Sequence, residues 1–307
     1  MGRYVLFRVL QSTLVITGVL VMVFMMLHLV PGDPVQVLFG DAPVPKEQVE
    51  AVRRQLGLDR PLSQQFVVYI SHVARGDLGR SLKTNRPVAA DIARALPFTV
   101  QLAVAARAIA ATGGIVLGII SAVSHHSWVD GGVTSLALLG ISLPSFLTGL
   151  LLIWLFSIKL DWVPITGQGS WRHLILPAMT LGWYAGAILA RLVRGGMLEI
   201  LRQDYVMTAR AKGLAERVVL VRHALRNALI PVITLAGIQF GTLLGGAVVV
   251  ETVFARDGIG RLLVNGILQK DFPQVQGAVL IVACAYSLTN LLADLSYGFL
   301  DPRIHYA

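Results

Sequence analysis

The strongest constraint on this chain is a series of apolar runs, each long enough to cross a bilayer and separated by polar segments. The first, Val9 to Val30, follows Arg3 and Arg8. At about 1.5 Å rise per residue, a helix of that length crosses the ~30 Å hydrocarbon layer. Further runs lie within Phe98–Ser124, Gly132–Ile158, Ile175–Val193, Leu229–Phe254 and Val275–Leu295. In hydrocarbon every backbone N–H and C=O must find its partner inside the protein, and helices do this within each segment. The pattern therefore predicts an all-α polytopic membrane protein with six transmembrane helices. A secretory signal has a shorter apolar core and a small-residue cleavage site, and the first run shows neither, so it is expected to be retained.

Charge placement sets the orientation. The net charge of +9 could suggest a nucleic-acid ligand, but the cations sit between apolar runs, where the positive-inside rule accounts for them. Arg3, Arg8, Arg303 and the eight Lys or Arg from Arg191 to Arg226 fall on one side, against Lys159, Arg172, Arg256, Arg261 and Lys270 in the short connections on the other. Both termini are thus expected inside. The polar stretch between the first two runs carries nine Lys or Arg against seven acids, which runs against an external location, but long loops escape the charge rule. It is expected to form an external lobe, with helices over Lys46–Leu56 and Leu62–Val73, a turn at Gly76–Gly79 and a short helix over Val88–Ala95. The lobe either covers the outer helix ends or receives a partner. The division is 1–30 for the N-terminus and first helix, 31–96 for the lobe, and 97–307 for a transmembrane domain with a cytoplasmic loop at 194–228.

Polar and helix-breaking residues inside the runs are the candidates for a pathway or for packing. Arg107 in the second run either faces a cavity or snorkels to the outer interface. Pro144 in the third is a packing kink or a hinge lining a pathway. Gly241 and Gly245 in the fifth form a small-xxx-small step that lets a partner or neighbouring helix approach closely. Glu251, near the outer end of that run, reaches the interface or faces a polar cavity. Asn290 and Asp294, one turn apart in the last run, suit interhelix hydrogen bonds or solute contact. A single cysteine, Cys284, excludes an intramolecular disulfide or a thiolate metal site. No Gly-rich loop ending in Gly-Lys-Ser/Thr, no His-Glu-x-x-His and no Gly-x-Ser-x-Gly occurs, so an ATP site belongs to another chain if ATP is used.

The segment Asp204–Pro231 has internal order of its own. Asp204 can cap a helix over Tyr205–Lys212, with its carboxylate at the positive end of the helix dipole. Gly213 supplies a left-handed residue that ends it. A second helix fits Glu216–Asn227, with Val218, Val221 and Leu225 on one face. Helix, glycine corner and helix make a shaped surface for docking another protein. The alternative is a basic loop that only sets topology and touches anionic lipid.

Five motifs resemble one family: PGDP at Pro31–Pro34, TARAKG at Thr208–Gly213, RHALRNALIP at Arg222–Pro231, GGAVVVETVF at Gly245–Phe254 and DPRI at Asp301–Ile304. Together they resemble the inner-membrane permease subunits of ABC importers, in the oligopeptide, dipeptide and glutathione branch. The broad family pattern has Glu-Ala-Ala where this chain has Met207-Thr208-Ala209, and a proline where it has Arg226. The resemblance implies a permease in a bacterial inner membrane, with no covalent chemistry and no cofactor of its own. Its partners would be a second, similar permease, two ATPase subunits that bind ATP and Mg, an external solute-binding protein and membrane lipid, with no nucleic acid. It also implies that Tyr205, Thr208, Ala209, Arg210, Ala211, Lys212 and Gly213 form the coupling helix that sits in a cleft of an ATPase subunit. Cargo would be peptides or glutathione, with nickel or opine-like solutes as the alternative within the family. The stretches Ser170–His173 and Ile175–Pro177 lean toward the glutathione type. From a different class, an ion-gradient-driven secondary transporter would place ionisable residues and broken helices at mid-membrane. Arg107 and Glu251 are the residues that could serve it.

Overall fold

A computed structural model describes residues 2–29, 45–55 and 57–300. The PGDP and DPRI motifs lie outside the described residues. The architecture is helical throughout, and among the described residues the only β contact is an isolated bridge between Arg80 and Pro87. In chain order the helices are α1 (Gly2–Leu29), α2 (Lys46–Gln55), α3 (Leu62–Ala74), α4 (Val88–Val123), α5 (Trp128–Ser142), α6 (Ser145–Leu152), α7 (Arg172–Leu201), α8 (Asp204–Ala211), α9 (Glu216–Val218), α10 (Arg226–Val253), α11 (Ile259–Leu268) and α12 (Phe272–Leu300). Two π-helical stretches, Ile153–Lys159 and Val219–Leu225, extend α6 and join α9 to α10. Among the described residues, α1, α4, α7 and α12 are long and apolar enough to cross a membrane, and α5 with α6 makes a fifth, bent candidate.

The described chain divides into two compact units, one of residues up to Phe98 with Asp257–Leu291, the other built mainly from Thr99–Arg256. In the first unit α3 runs back along α1. Phe24 packs edge-on against Phe66 at 5.1 Å and lies 5.8 Å from Tyr69, while His28 hydrogen-bonds Gln65 at 3.0 Å. Gly76 and Gly79 both take left-handed backbone angles at the expected turn. The expected short helix at Val88–Ala95 is instead the first part of α4, which continues through Pro97. Val88, Ile92 and Ala95 pack with Ile259 and Ala278, so burial holds the segment helical where proline removes one backbone donor.

In the second unit the close approach of helices falls where the sequence reading did not put it. Gly182 and Gly186 on α7 lie against the backbone of Ala106 and Ala110 on α4, and Gly114 and Gly118 on α4 lie against α7 in return. A Cβ added at Gly182 would stand 2.6 Å from the Ala106 carbonyl oxygen. Two small-xxx-small steps therefore face each other, which lets backbones touch where apolar burial supplies little drive between helices. Gly245 is exposed, and a Cβ there meets nothing of its own chain within 4 Å. Gly241 is buried, and it is Gly246 that faces Leu181. Leu102, Ala106, Leu176, Leu181, Val250 and Phe254 centre the main core, which joins α4, α7 and α10.

The third apolar run is not one helix. The chain turns by 117° between α5 and α6. Leu143 precedes Pro144 and is extended at φ −82°, ψ 131°, as the clash of the proline ring with the preceding residue requires. Pro144 then stands at the N-cap of α6. It is an elbow rather than a kink.

Candidate functional site

The segment after α7 keeps the expected plan and changes its details. Gln203, not Asp204, stands at the N-cap of α8, and Asp204 lies in the first turn, where its charge still faces the helix dipole. At the other end the Gly213 N–H donates to the Arg210 carbonyl at 2.9 Å and the Leu214 N–H to the Ala209 carbonyl at 3.4 Å. These two bonds form a Schellman closure, with Gly213 at φ +77° in the position that disfavours a Cβ.

Burial gives α8 two faces. Val206 is 0% and Ala209 6% exposed, packed on Val219 and against Ile200 and Leu201 at the end of α7. Tyr205, Thr208, Ala211 and Lys212 are exposed and share the opposite face at helical spacing. Ala209 thus packs into its own chain, whereas the sequence reading groups it with residues that enter a partner. The apolar pair Val206 and Ala209, three apart, is the signal of that inward face.

The second helix also departs from expectation. Val218 and Val221 are exposed, while Val219 and Ala224 are fully buried. The segment Val219–Leu225 is π-helical, and its i→i+5 bonding turns the side chains away from a 3.6-residue register. The segment also runs unbroken into α10, so the expected second helix Glu216–Asn227 is continuous with the helix that follows it.

Polar bonds lock the corner. Arg210 donates Nε and Nη2 to the two Glu216 carboxylate oxygens, at 3.1 and 2.6 Å. That pairing holds the Glu216 carboxyl below its ordinary range and raises the Arg210 guanidinium. Asn227 donates to the Tyr205 hydroxyl at 2.9 Å, tying the first turn of α8 to α10. Lys212 is exposed beyond this network, beside exposed Leu214.

Sequence reasoning missed a second cluster in the same unit. Arg194 of α7 donates two hydrogen bonds, of 2.7 and 2.8 Å, to the Asp130 carboxylate in the first turn of α5. Ser121 donates to the same carboxylate at 2.5 Å, the His126 backbone N–H at 3.2 Å, and His125 Nδ1 lies 3.3 Å away. Asp130 is 5% exposed. A signal was present: Ser127-Trp128-Val129-Asp130 has capping-box spacing, and Ser127 does accept the Asp130 N–H.

The other candidates scatter. Glu251 is fully buried, accepting a hydrogen bond of 2.6 Å from Thr99 Oγ1. Arg107 is half-buried on α4. Asn290 and Asp294 are half-buried on α12. Pro144 borders a cavity of about 420 Å³ lined by Gly140, Ser142, Thr148, Thr180 and Tyr184 among others. Among the described residues no group of three or more His, Cys, Asp or Glu could hold a metal ion.

The chain is also similar to known proteins. Residues 114–306 match the family described as binding-protein-dependent transport system inner membrane component, and residues 1–103 match the N-terminal family of the same membrane components. The chain is 43% identical to the glutathione transport system permease protein of Escherichia coli (strain K12), over 100% of both chains. The permeases of the same name from Salmonella choleraesuis and Pectobacterium atrosepticum are 44% and 43% identical, again over 100% of both chains. Among solved structures, an amino acid ABC transporter crystallised with histidines matches at a TM-score of 0.52 and 16% identity, covering 77% of this chain and 98% of that one.

Proposed function

The chain belongs to the inner-membrane components of binding-protein-dependent transport systems, and on that premise we propose that it carries a peptide-class solute, glutathione among the candidates, and couples to ATP through α8. It is a multi-pass permease subunit of an ABC importer, a transport subunit rather than an enzyme. Such a permease works with ATPase subunits and a solute-binding protein. The full-length identity to permeases named for glutathione supports the solute class. The finer assembly we propose is a second, similar permease, two ATPase subunits binding ATP and Mg, and six spans with both termini inside.

The observation that carries the coupling role is the two-faced α8. Its inner face is bolted to α7 and to the π turn before α10 through Val206, Ala209 and Val219. Its outer face offers Tyr205, Thr208, Ala211 and Lys212 at one level of exposure. A push on the outer face is delivered to two long helices at once. A loop that served only topology would not need the Schellman closure that fixes the corner.

The test is reconstitution of the complete importer in vesicles, with uptake and ATP turnover measured together for Ala211→Trp. The variant is expected to insert and to lose ATP-driven uptake. Wild-type uptake per ATP would mean that α8 is a topology-setting loop.

A further inference from the structure

The coupling segment and the Pro144 elbow lie in different parts of the same unit, and Arg194 with Asp130 is a polar connection that joins their helices. Arg194 sits on α7 about three turns before α8 begins, on the continuous helix whose last residues, Ile200 and Leu201, pack against Val206 and Ala209. Asp130 lies in the first turn of α5, the helix that ends at the elbow. The remaining α5–α7 contact is apolar and built on small residues, with Gly140 under the Trp183 ring and under Ala187. Such a seam brings the two backbones close without a directional bond between them. A bidentate arginine–carboxylate fork fixes both distance and angle, so it sets the register of one helix on the other.

We infer that Arg194 and Asp130 are positioning residues for transport: their fork makes α5, and with it the elbow beside the cavity, follow the displacement of α8. Stability alone does not require the fork. Asp130 also accepts from Ser121 and from the His126 backbone N–H, so the carboxylate keeps donors without the arginine. Replacing both partners of a buried ion pair by well-packed apolar residues is often neutral for stability, and the best-attested use of such a pair is to specify register or a switch. In the chain of contacts, α8 bears on the end of α7, Arg194 carries the motion to Asp130, and α5 turns the elbow.

This inference rests on the coupling role proposed for α8, and the experiment separates the two. In a Cys284→Ser background, spectroscopic labels are placed at Thr208→Cys on α8 and, separately, at Leu138→Cys on the exposed side of α5. The complete importer is reconstituted, and label movement is compared between the nucleotide-free and ATP-bound states, together with uptake per ATP. In the otherwise unaltered chain both labels are expected to move. In Asp130→Asn the label at 208 should still move, the label at 138 should move less, and uptake per ATP should fall at least tenfold. Arg194→Lys keeps the charge and loses the fork, and should show the same separation in a milder form if Asp130→Asn does not assemble. A merely structural pair would lower the yield of importer without separating the two labels. Full movement at 138 and unchanged uptake per ATP in either assembled variant overturns the inference and leaves the role of α8 standing. A label at 208 that does not move in the unaltered chain overturns both.

Discussion

Arg210 and Glu216 grip each other across the Gly213 corner through two hydrogen bonds of 2.6 and 3.1 Å. The fork closes a loop whose backbone is already turned by the Schellman bonds, so it reinforces a direction rather than creating it. Because both side chains are exposed, solvent screens the pair and its contribution is small. Glu216→Gln is therefore expected to change uptake per ATP by less than about twofold. The sign of its pH dependence follows from the lowered Glu216 pKa. The charged pair is fully present above the ordinary glutamate value, about 4.3, and is lost as pH falls through the lower folded value. Uptake compared for the parent and Glu216→Gln between about pH 5.5 and 8 should show parallel profiles. A divergence in that window would assign the titration to another group.

The corner itself is a backbone matter. Gly213 holds φ +77°, and nothing lies within 4 Å of where a Cβ would stand, so the obstacle to substitution is conformation alone. A β-branched residue there carries a left-handed penalty of roughly 1–2 kcal/mol, and asparagine less. Gly213→Val should redirect the chain after α8 and reduce uptake per ATP, while Gly213→Asn should retain most of it. Equal retention in both variants would show that the corner angle is immaterial to coupling.

Inner and outer faces of α8 should fail differently. Ala209→Trp forces a large ring between Val206 and Val219, and overpacking of this kind costs about 1–3 kcal/mol or more. It should lower the thermal midpoint of the isolated permease. Ala211→Trp, on the exposed face, should leave that midpoint unchanged and reduce recovery of the ATPase subunits with the permease. Thermal unfolding in detergent alongside co-purification distinguishes them, and a matching midpoint loss in both variants would contradict the two-faced assignment.

Much of this was legible in the sequence, and the failures have physical causes. The apolar runs, the Gly76–Gly79 turn and the Gly213 corner follow from local chemistry that tertiary contacts do not override. The third run carries a kink or hinge at Pro144 in the sequence reading, and the 117° turn there is not visible in hydropathy, which is blind to direction. The face carrying Val218 and Val221 was misassigned because a π turn cannot be seen in a 3.6-residue pattern. Ala209 is small enough to suit either face, and only Val219, brought over by the corner, decides. The Arg194–Asp130 fork joins positions far apart in sequence, so no local period could reveal it.

The glycine seams offer a test of where helix packing resides. Gly182 meets the Ala106 backbone, which cannot rotate away as a side chain can. Gly182→Leu should therefore prevent α4 and α7 from closing, and the permease should be lost from the membrane or unfold at markedly lower temperature. Gly245 has open space around it within its own chain, so Gly245→Leu should leave the isolated permease folded. If that surface receives the second permease, Gly245→Leu will instead weaken recovery of the partner subunit in co-purification. Normal folding of Gly182→Leu would contradict the close approach of α4 and α7. Undiminished partner recovery with Gly245→Leu would place the permease–permease contact elsewhere and leave Gly245 facing lipid.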